Sequence, residues 1–263
     1  MNATMHVRGC ALWSPEYADA DAWLAGTRSE PPTAAPPAEL LPRRVRGRAS
    51  LLTCMIAEVV ARVAREGGAD LTTVPLIVGS AYGEMATTAQ LLAMMRSDDG
   101  ALSPARFQAS VHNAAAGAIS IATANRGFSS CLSAGEGTGA AVLIEAHAWL
   151  AAHGGQVIVA AADESLPGFF AGRDRFGPLA LSMLLDAAQG AGGMGCLGPP
   201  VHAAAAVQAG VSREASDEAF ALNPVAPLLT VLRAVRAGRN ATVALPAGSG
   251  WWRFEFTPGE RLP

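Results

Sequence analysis

Apolar and polar positions along this chain follow two periods. From Ala49 to Glu66 the apolar residues Leu52, Met55, Ile56, Val59, Val60 and Val63 recur at helical spacing, with Glu58, Arg62 and Arg65 on the other side. Gly67-Gly68 predicts the stop of that helix. Val74 to Ser80 (VPLIVGS) and Gln156 to Ala162 (QVIVAAA) are continuous apolar runs, as expected of strands buried on both faces. Met5 to Trp13, Phe128 to Ser133 and Pro178 to Leu185 read as three more strands. Ala86 to Met95 predicts a helix, and Ser103-Pro104 supplies a cap and a first turn for another. Ala134 to Leu150 reads as a helix that is apolar almost all round, which predicts a central position. A late helix over Pro224 to Ala237 precedes short strands at Ala241 to Leu245 and Trp251 to Phe256. The Pro-rich EPPTAAPPAELLP and the Gly/Pro-rich Gly190 to Pro200 read as loops. Strands alternating with helices predict an α/β fold.

Composition narrows the chemistry. Hydrophobic residues make up 51% of the chain and charged residues only 16%, against roughly 25% charged in soluble chains. That balance predicts tight packing and a buried subunit interface. A net charge of −3 offers no basic field for nucleic acid. No Lys occurs, so no Lys serves as a Schiff base or general base. Cys10, Cys54, Cys131 and Cys196 form no CxxC pair, which argues against a metal site and for buried thiols in a reducing cytosol. No signal-peptide pattern and no apolar run of about 20 residues stands out, so a cytoplasmic protein without a membrane span is expected. The basic segment RRVRGR (Arg43 to Arg48) reads as a solvated turn, with docking of an acidic partner as the sharper alternative.

The most informative segment is FSSCLSAGEGTGAAVLIEAHAWL, a strand that enters a glycine-rich turn and opens a helix. Glycines allow a sharp turn and a close backbone approach. The free N–H groups at the helix start favour negative charge. Such a turn suits a nucleophile or an anion. Gly135-x-Gly137-x-Gly139 also suggests a nucleotide-binding module, with Asp163 as the ribose-binding acid, although the spacing is GxGxG rather than GxGxxG. The esterase pattern GxSxG is absent. The block VHNAAAGAISIATANRGFSSCLSAGEGTGAAVLIEA followed by VIVAAADE, with RASLLTCMIAEVVARVAREGGADLTTVPLIVGSAYGE upstream, resembles the N-terminal half of β-ketoacyl synthases. The resemblance covers roughly Met1 to Leu185. The block closely resembles the short chain-length-factor-like ketosynthase partners of aryl-polyene and related polyketide pathways. It implies a thiolase-like layered α-β-α-β-α fold, truncated in its C-terminal half. The chain is then a single domain over residues 1–263, with a thiolase-like half at 1–185 and an abbreviated C-terminal segment at 186–263.

Carried onto this sequence, the resemblance places the nucleophile position at Glu136, or at Gly135 or Gly137 with a one-residue gap; none of these is Cys. Cys131 lies upstream and reads as a buried core thiol. The Lys is missing, and after Glu164 the only His is His202, in a loop-like stretch. Condensation needs a thiolate and donors that stabilise an enolate, so no autonomous condensing activity is expected, and no cofactor. Glu136 reads as a helix-capping acid, or as a carboxylate that assists decarboxylation. His112 and Asn113 read as supports of the site. His147 reads as a satisfied core histidine, His153 as a cation at a helix end, and His6 as structural. Met94 and Met95 read as core or as tunnel wall, and Trp251-Trp252 as core or interface. The implied partners are a full-length ketosynthase, or a second copy, and an acyl carrier protein. Two alternatives stand: a decarboxylase or acyltransferase using Glu136 and His112, and the nucleotide-binding module at Gly135 to Gly139.

Overall fold

A sheet runs through the whole computed structural model, which describes residues 4–96, 102–168, 170, 176–189, 193–204 and 220–259. Its first strand, β1, is Met5–Trp13. A six-residue helix, α1 (Ala20–Ala25), follows, capped by the Asp19 side chain. The Pro-rich stretch then leads to α2 (Arg43–Arg46), a four-residue helix where a solvated turn was expected. The long helix α3 is Leu51–Gly67. Ser50 Oγ accepts the Thr53 N–H at 2.9 Å at its start, and Gly68 closes it at φ 72°, the left-handed conformation that favours glycine. The apolar stripe of α3 is buried from Leu52 to Val63, and burial of each such side chain contributes roughly 1.5–3 kcal/mol.

Strand β2 is Leu76–Gly79. Helices α4 (Met85–Met95), α5 (Pro104–Gln108) and α6 (Ala114–Thr123) come next. Strand β3 (Ser129–Leu132) leads through a 3-10 turn at Gly135–Gly137 into α7 (Thr138–His153). The fully apolar runs become β4 (Gln156–Asp163) and β5 (Leu179–Asp186). Beyond them lie β6 (Gly195–Leu197), β7 (Val201–Ala203), α8 (Leu228–Ala237), β8 (Ala241–Ala247) and β9 (Gly250–Pro258). The strand order is β3-β2-β4-β5-β1-β6-β9-β7, with β8 paired to the far side of β9. β2 is parallel to β3 and β4, and the other pairings are antiparallel.

Two cores explain the layers. One face of β1, β2, β4 and β5 packs against α3 and α6 through Ala11, Val78, Ile158, Leu184, Met55, Val59 and Ile119. The other face packs against α7 and α8, which are in turn covered by Val243 and Leu245 of β8 and Phe254 and Phe256 of β9. The order is therefore helix, sheet, helix, sheet. The outer face of β8–β9 carries the exposed Thr242, Glu255 and Thr257, and no helix covers it among the described residues.

Three local expectations are corrected. The segment read as a loop over Gly190 to Pro200 contains β6, paired with Met5–Val7 and Phe256–Pro258. Gly195 adopts φ 142°, and a Cβ there would meet the Phe256 ring at 2.5 Å, a contact that no local periodicity reveals. His202 lies on β7, edge-on to Trp252 at 5.1 Å, and not in a loop. α7 is sandwiched on two sides, but Ala148 is exposed and Ile144, Glu145 and His147 are half-buried. No helix of the described residues is long and apolar enough to cross a membrane.

Candidate functional site

The β3–α7 turn is shaped by close packing. Gly135 takes φ 56°, which lets the chain reverse before the helix. Thr138 is fully buried. Its hydroxyl donates to Gly135 O at 2.7 Å and accepts the Ala134 N–H at 3.1 Å, so one side chain closes the turn. A Cβ on Gly139 would lie 2.9 Å from Leu228 Cγ, and one on Gly137 would meet Ala247 and Pro246 O at 3.4 Å. A Cβ on Gly79 would lie 2.6 Å from Val142 of α7. These glycines let α7 approach α8, β8 and β2. Glu136 is left exposed at the tip of the turn.

Beside this turn runs a second one, Ser80 to Glu84, after β2. Ser133 Oγ donates to Ala81 O at 2.9 Å and joins the two turns. Asp163, at the end of β4, organises the second turn. Its carboxylate accepts Ser80 Oγ at 2.7 Å, Ala81 N at 3.0 Å and Tyr82 N at 3.0 Å. Burial works to raise Asp163 above the ordinary carboxylate value, against these hydrogen bonds. Asp163 is only 1% exposed, so the acid that a nucleotide reading requires is already occupied.

His112 hydrogen-bonds through Nε2 to Ser80 O at 3.0 Å, on the far side of the same turn. Asn113 is exposed and directly precedes α6, and its side chain makes no capping bond. No hydrogen bond or ion pair joins Glu136 to His112 among the described residues. Cys131 is a free, half-buried thiol on the edge strand β3, rather than a fully buried one, and burial pushes its pKa up.

Sequence reasoning missed two buried acids here. Glu84 is 3% exposed, and its Oε1 accepts Ser50 Oγ and Thr53 Oγ1, each at 2.8 Å. Glu164 is 7% exposed, and burial, then the charge of Glu84, pushes its carboxyl up to about 7. The available signal was an acid at the end of the turn after β2, in SAYGE, and one directly after β4, in AADE. No group of three or more His, Cys, Asp or Glu among the described residues is arranged to hold a metal ion.

The remaining singled-out residues are dispersed. Met95 is 59% exposed on α4, so core packing does not account for it, and Met94 Sδ receives Arg106 at 3.7 Å. His153 is exposed at the end of α7 and stacks on Trp149 at 3.9 Å. His6, Trp251 and Trp252 are half-buried. Arg43, Arg44 and Arg48 are exposed, while Arg46 is half-buried and donates to Pro37 O at 2.9 Å.

Comparisons with known proteins agree with this architecture. Residues 21–252 match the family model described as the β-ketoacyl synthase N-terminal domain. No curated protein matches the sequence. Among solved structures, the chain is similar to the ketosynthase ApeO in complex with its chain length factor ApeC from Xenorhabdus doucetiae, with TM-score 0.69, 21% identity, and coverage of 96% of this chain and 99% of that one. It is similar to the ishigamide ketosynthase/chain length factor, with TM-score 0.73, 16% identity, and coverage of 96% and 98%. It is also similar to AntDE:AntF, a type II acyl-carrier protein in complex with its ketosynthase, with TM-score 0.76, 12% identity, and coverage of 98% and 100%.

Proposed function

The chain belongs to the β-ketoacyl synthase N-terminal domain family, and from that premise we propose that it is a non-catalytic, chain-length-factor-type subunit. It pairs with a full-length β-ketoacyl-carrier-protein synthase in the cytoplasm and shapes the acyl tunnel of that partner. The observation that carries this reading is Glu136, an exposed carboxylate at the turn where the resemblance puts the nucleophilic thiolate. A carboxylate there is stabilised by the start of α7 by about 0.3–1 kcal/mol, but it does not hold an acyl group as a thioester. The fold similarity to ketosynthase complexes supports the type of partner.

The surface offers a place for that partner in the thiolase-like half, residues 1–185. β3 is an edge strand, and an open edge is a template for pairing with another chain. Ile121 of α6, the helix that packs beside β3, is 82% exposed. An exposed apolar side chain beside an open strand edge suits a protein interface. The exposed Arg43, Arg44 and Arg48 of the α2 turn carry no ion pair among the described residues, which suits docking of an acidic acyl carrier protein.

The test is affinity purification of the tagged chain from its native host, followed by mass spectrometry. A full-length ketosynthase recovered in near-equal amount is the expected result. Recovery of the chain only with itself overturns the partner role. It would turn attention to the second reading, decarboxylation by the isolated chain through the exposed Glu136. Turnover of a malonyl-carrier substrate that disappears in Glu136→Ala supports that reading, and no turnover removes it.

A further inference from the structure

We propose that the open edge of β8 takes up an extended acidic peptide as an added strand, and that the arginine-lined groove between α8 and β8 selects its charge. The inference does not depend on the proposed partner role, whose interface is argued at β3, toward the other end of the sheet.

β8 pairs with β9 along its whole length, from Ala241↔Phe256 to Ala247↔Gly250. Among the described residues no other strand pairs with it, and no backbone hydrogen bond from elsewhere reaches Ala241 to Leu245. Successive residues of an antiparallel strand turn their N–H and C=O groups to opposite sides, so alternate residues of this stretch present theirs to the free side. Strand edges are usually blunted by a charge, a proline or a bulge. Ala241 to Leu245 has none of these: its sequence is ATVAL, and its register against β9 runs without a shift. Pro246 has no N–H to donate and ends the pairable stretch. Beyond it the Gly135–Gly137 turn closes in, since a Cβ on Gly137 would lie 3.4 Å from Pro246 O.

The groove beside this edge has a volume of about 310 Å³. Thr230, Arg233 and Ala237 line it from α8, on one face as residues three and four apart are. Arg239 and Asn240 line it from the turn after the helix, and the start of β8 closes it. Gly238, at φ 59°, makes that turn in the left-handed conformation. Arg233 lies over the Trp23 ring at 5.1 Å, and Arg239 is exposed. No Asp or Glu lines the groove. Glu255, on the neighbouring strand, is already engaged: it accepts Thr242 Oγ1 at 2.8 Å and pairs with Arg253 at 3.3 Å. Positive charge therefore stands beside a row of free backbone groups. A strand added to β8 gains affinity from main-chain hydrogen bonds and selectivity from alternate side chains. Carboxylates on the α8 side meet Arg233 and Arg239, and the other set lies on the outer face beside Thr242. A second copy fits less well, because edge-to-edge pairing brings the same arginines together with no acid between them.

The probe is a fluorescently labelled, end-blocked peptide, Glu-Val-Glu-Val-Glu, titrated with the full chain at about 50 mM salt and read by anisotropy. Saturable binding is expected, and Lys-Val-Lys-Val-Lys is expected to bind at least about tenfold more weakly. Arg239→Glu is expected to weaken binding of the acidic peptide at least about tenfold. Its melting temperature is expected to stay almost that of the wild type, as for other exposed substitutions. N-methylation of the peptide's glutamates and of its valines separates strand addition from simple charge attraction. One set of amides points at β8 and the other away from it, so one methylated peptide is expected to lose binding and the other to keep it. Amide exchange within Ala241 to Leu245 is expected to slow when the acidic peptide is bound. No binding, equal binding of the lysine peptide, or unchanged binding by Arg239→Glu overturns the proposal. An equal effect of the two methylations overturns strand addition. A concentration-dependent dimer of the chain alone that protects the same amides assigns the edge to a second copy and overturns the peptide.

Discussion

Thr138 shows how much of the site rests on single side chains. Its hydroxyl closes the β3–α7 turn by bonds to Ala134 N and Gly135 O. Thr138→Val keeps the shape and removes both bonds. The expected loss of stability is about 1–3 kcal/mol, read by chemical denaturation; a change near zero would mean that solvent reaches the turn. Glu136 contrasts with it, being exposed and making no hydrogen bond among the described residues. Glu136→Cys is expected to fold normally and still show no condensing activity in isolation, because no Lys exists in the chain to complete the catalytic set. Carbon–carbon bond formation by that variant would contradict the non-catalytic assignment.

At the scale of elements, the edge strand and its neighbouring helices separate folding from association. Ile121 of α6 projects outward at 82% exposure, whereas Ile119 on the same helix is 2% exposed and belongs to the core. Ile121→Glu is expected to leave the melting temperature of the chain almost unchanged, since exposed substitutions change stability by about 0.5 kcal/mol or less. It is expected to reduce recovery of the proposed ketosynthase partner at least tenfold in co-purification. Unchanged recovery would move the interface away from β3 and α6. The same division applies to α3, whose apolar stripe is entirely internal and whose Ser50 cap also anchors Glu84.

The whole molecule is held together by ties between distant parts of the chain. Arg236 of α8 donates to Cys10 O of β1 at 2.7 Å and pairs with Glu66 of α3 at 2.8 Å. Asp186 joins three segments: it accepts Ala188 N at 2.9 Å, Gln156 at 3.0 Å and Arg8 at 3.3 Å. Burial works to raise Asp186, but these hydrogen bonds outweigh it and hold the carboxyl below its ordinary value. A lowered carboxyl contributes stability above its unfolded value of 3.8 and loses it as pH falls through the folded value. Asp186→Asn is therefore expected to lower the melting temperature at neutral pH and to flatten its fall below about pH 4. A parallel fall in mutant and wild type would assign acid unfolding to other groups. Asp186 thus acts on the acid side.

Much of this was legible in the residues alone. The stripe from Leu52 to Val63, the apolar runs of β4 and β5 and the glycine-rich turn at Glu136 all express local periodicity and backbone preference, which a sequence states directly. The family resemblance followed from their order, and the absence of Lys and of Cys at the turn is a matter of reading. Tertiary structure alone decided the rest. β6 is a strand because Met5–Val7 and Phe256–Pro258 come to either side of it. Asp163 is occupied because a turn more than eighty residues earlier in the chain wraps it. Glu84 is buried because the Ser50 and Thr53 hydroxyls at the start of α3, more than thirty residues earlier, come to it. Pairing, burial and the charge that one acid imposes on another depend on distances between residues far apart in the chain, and those distances exist only once the layers have packed.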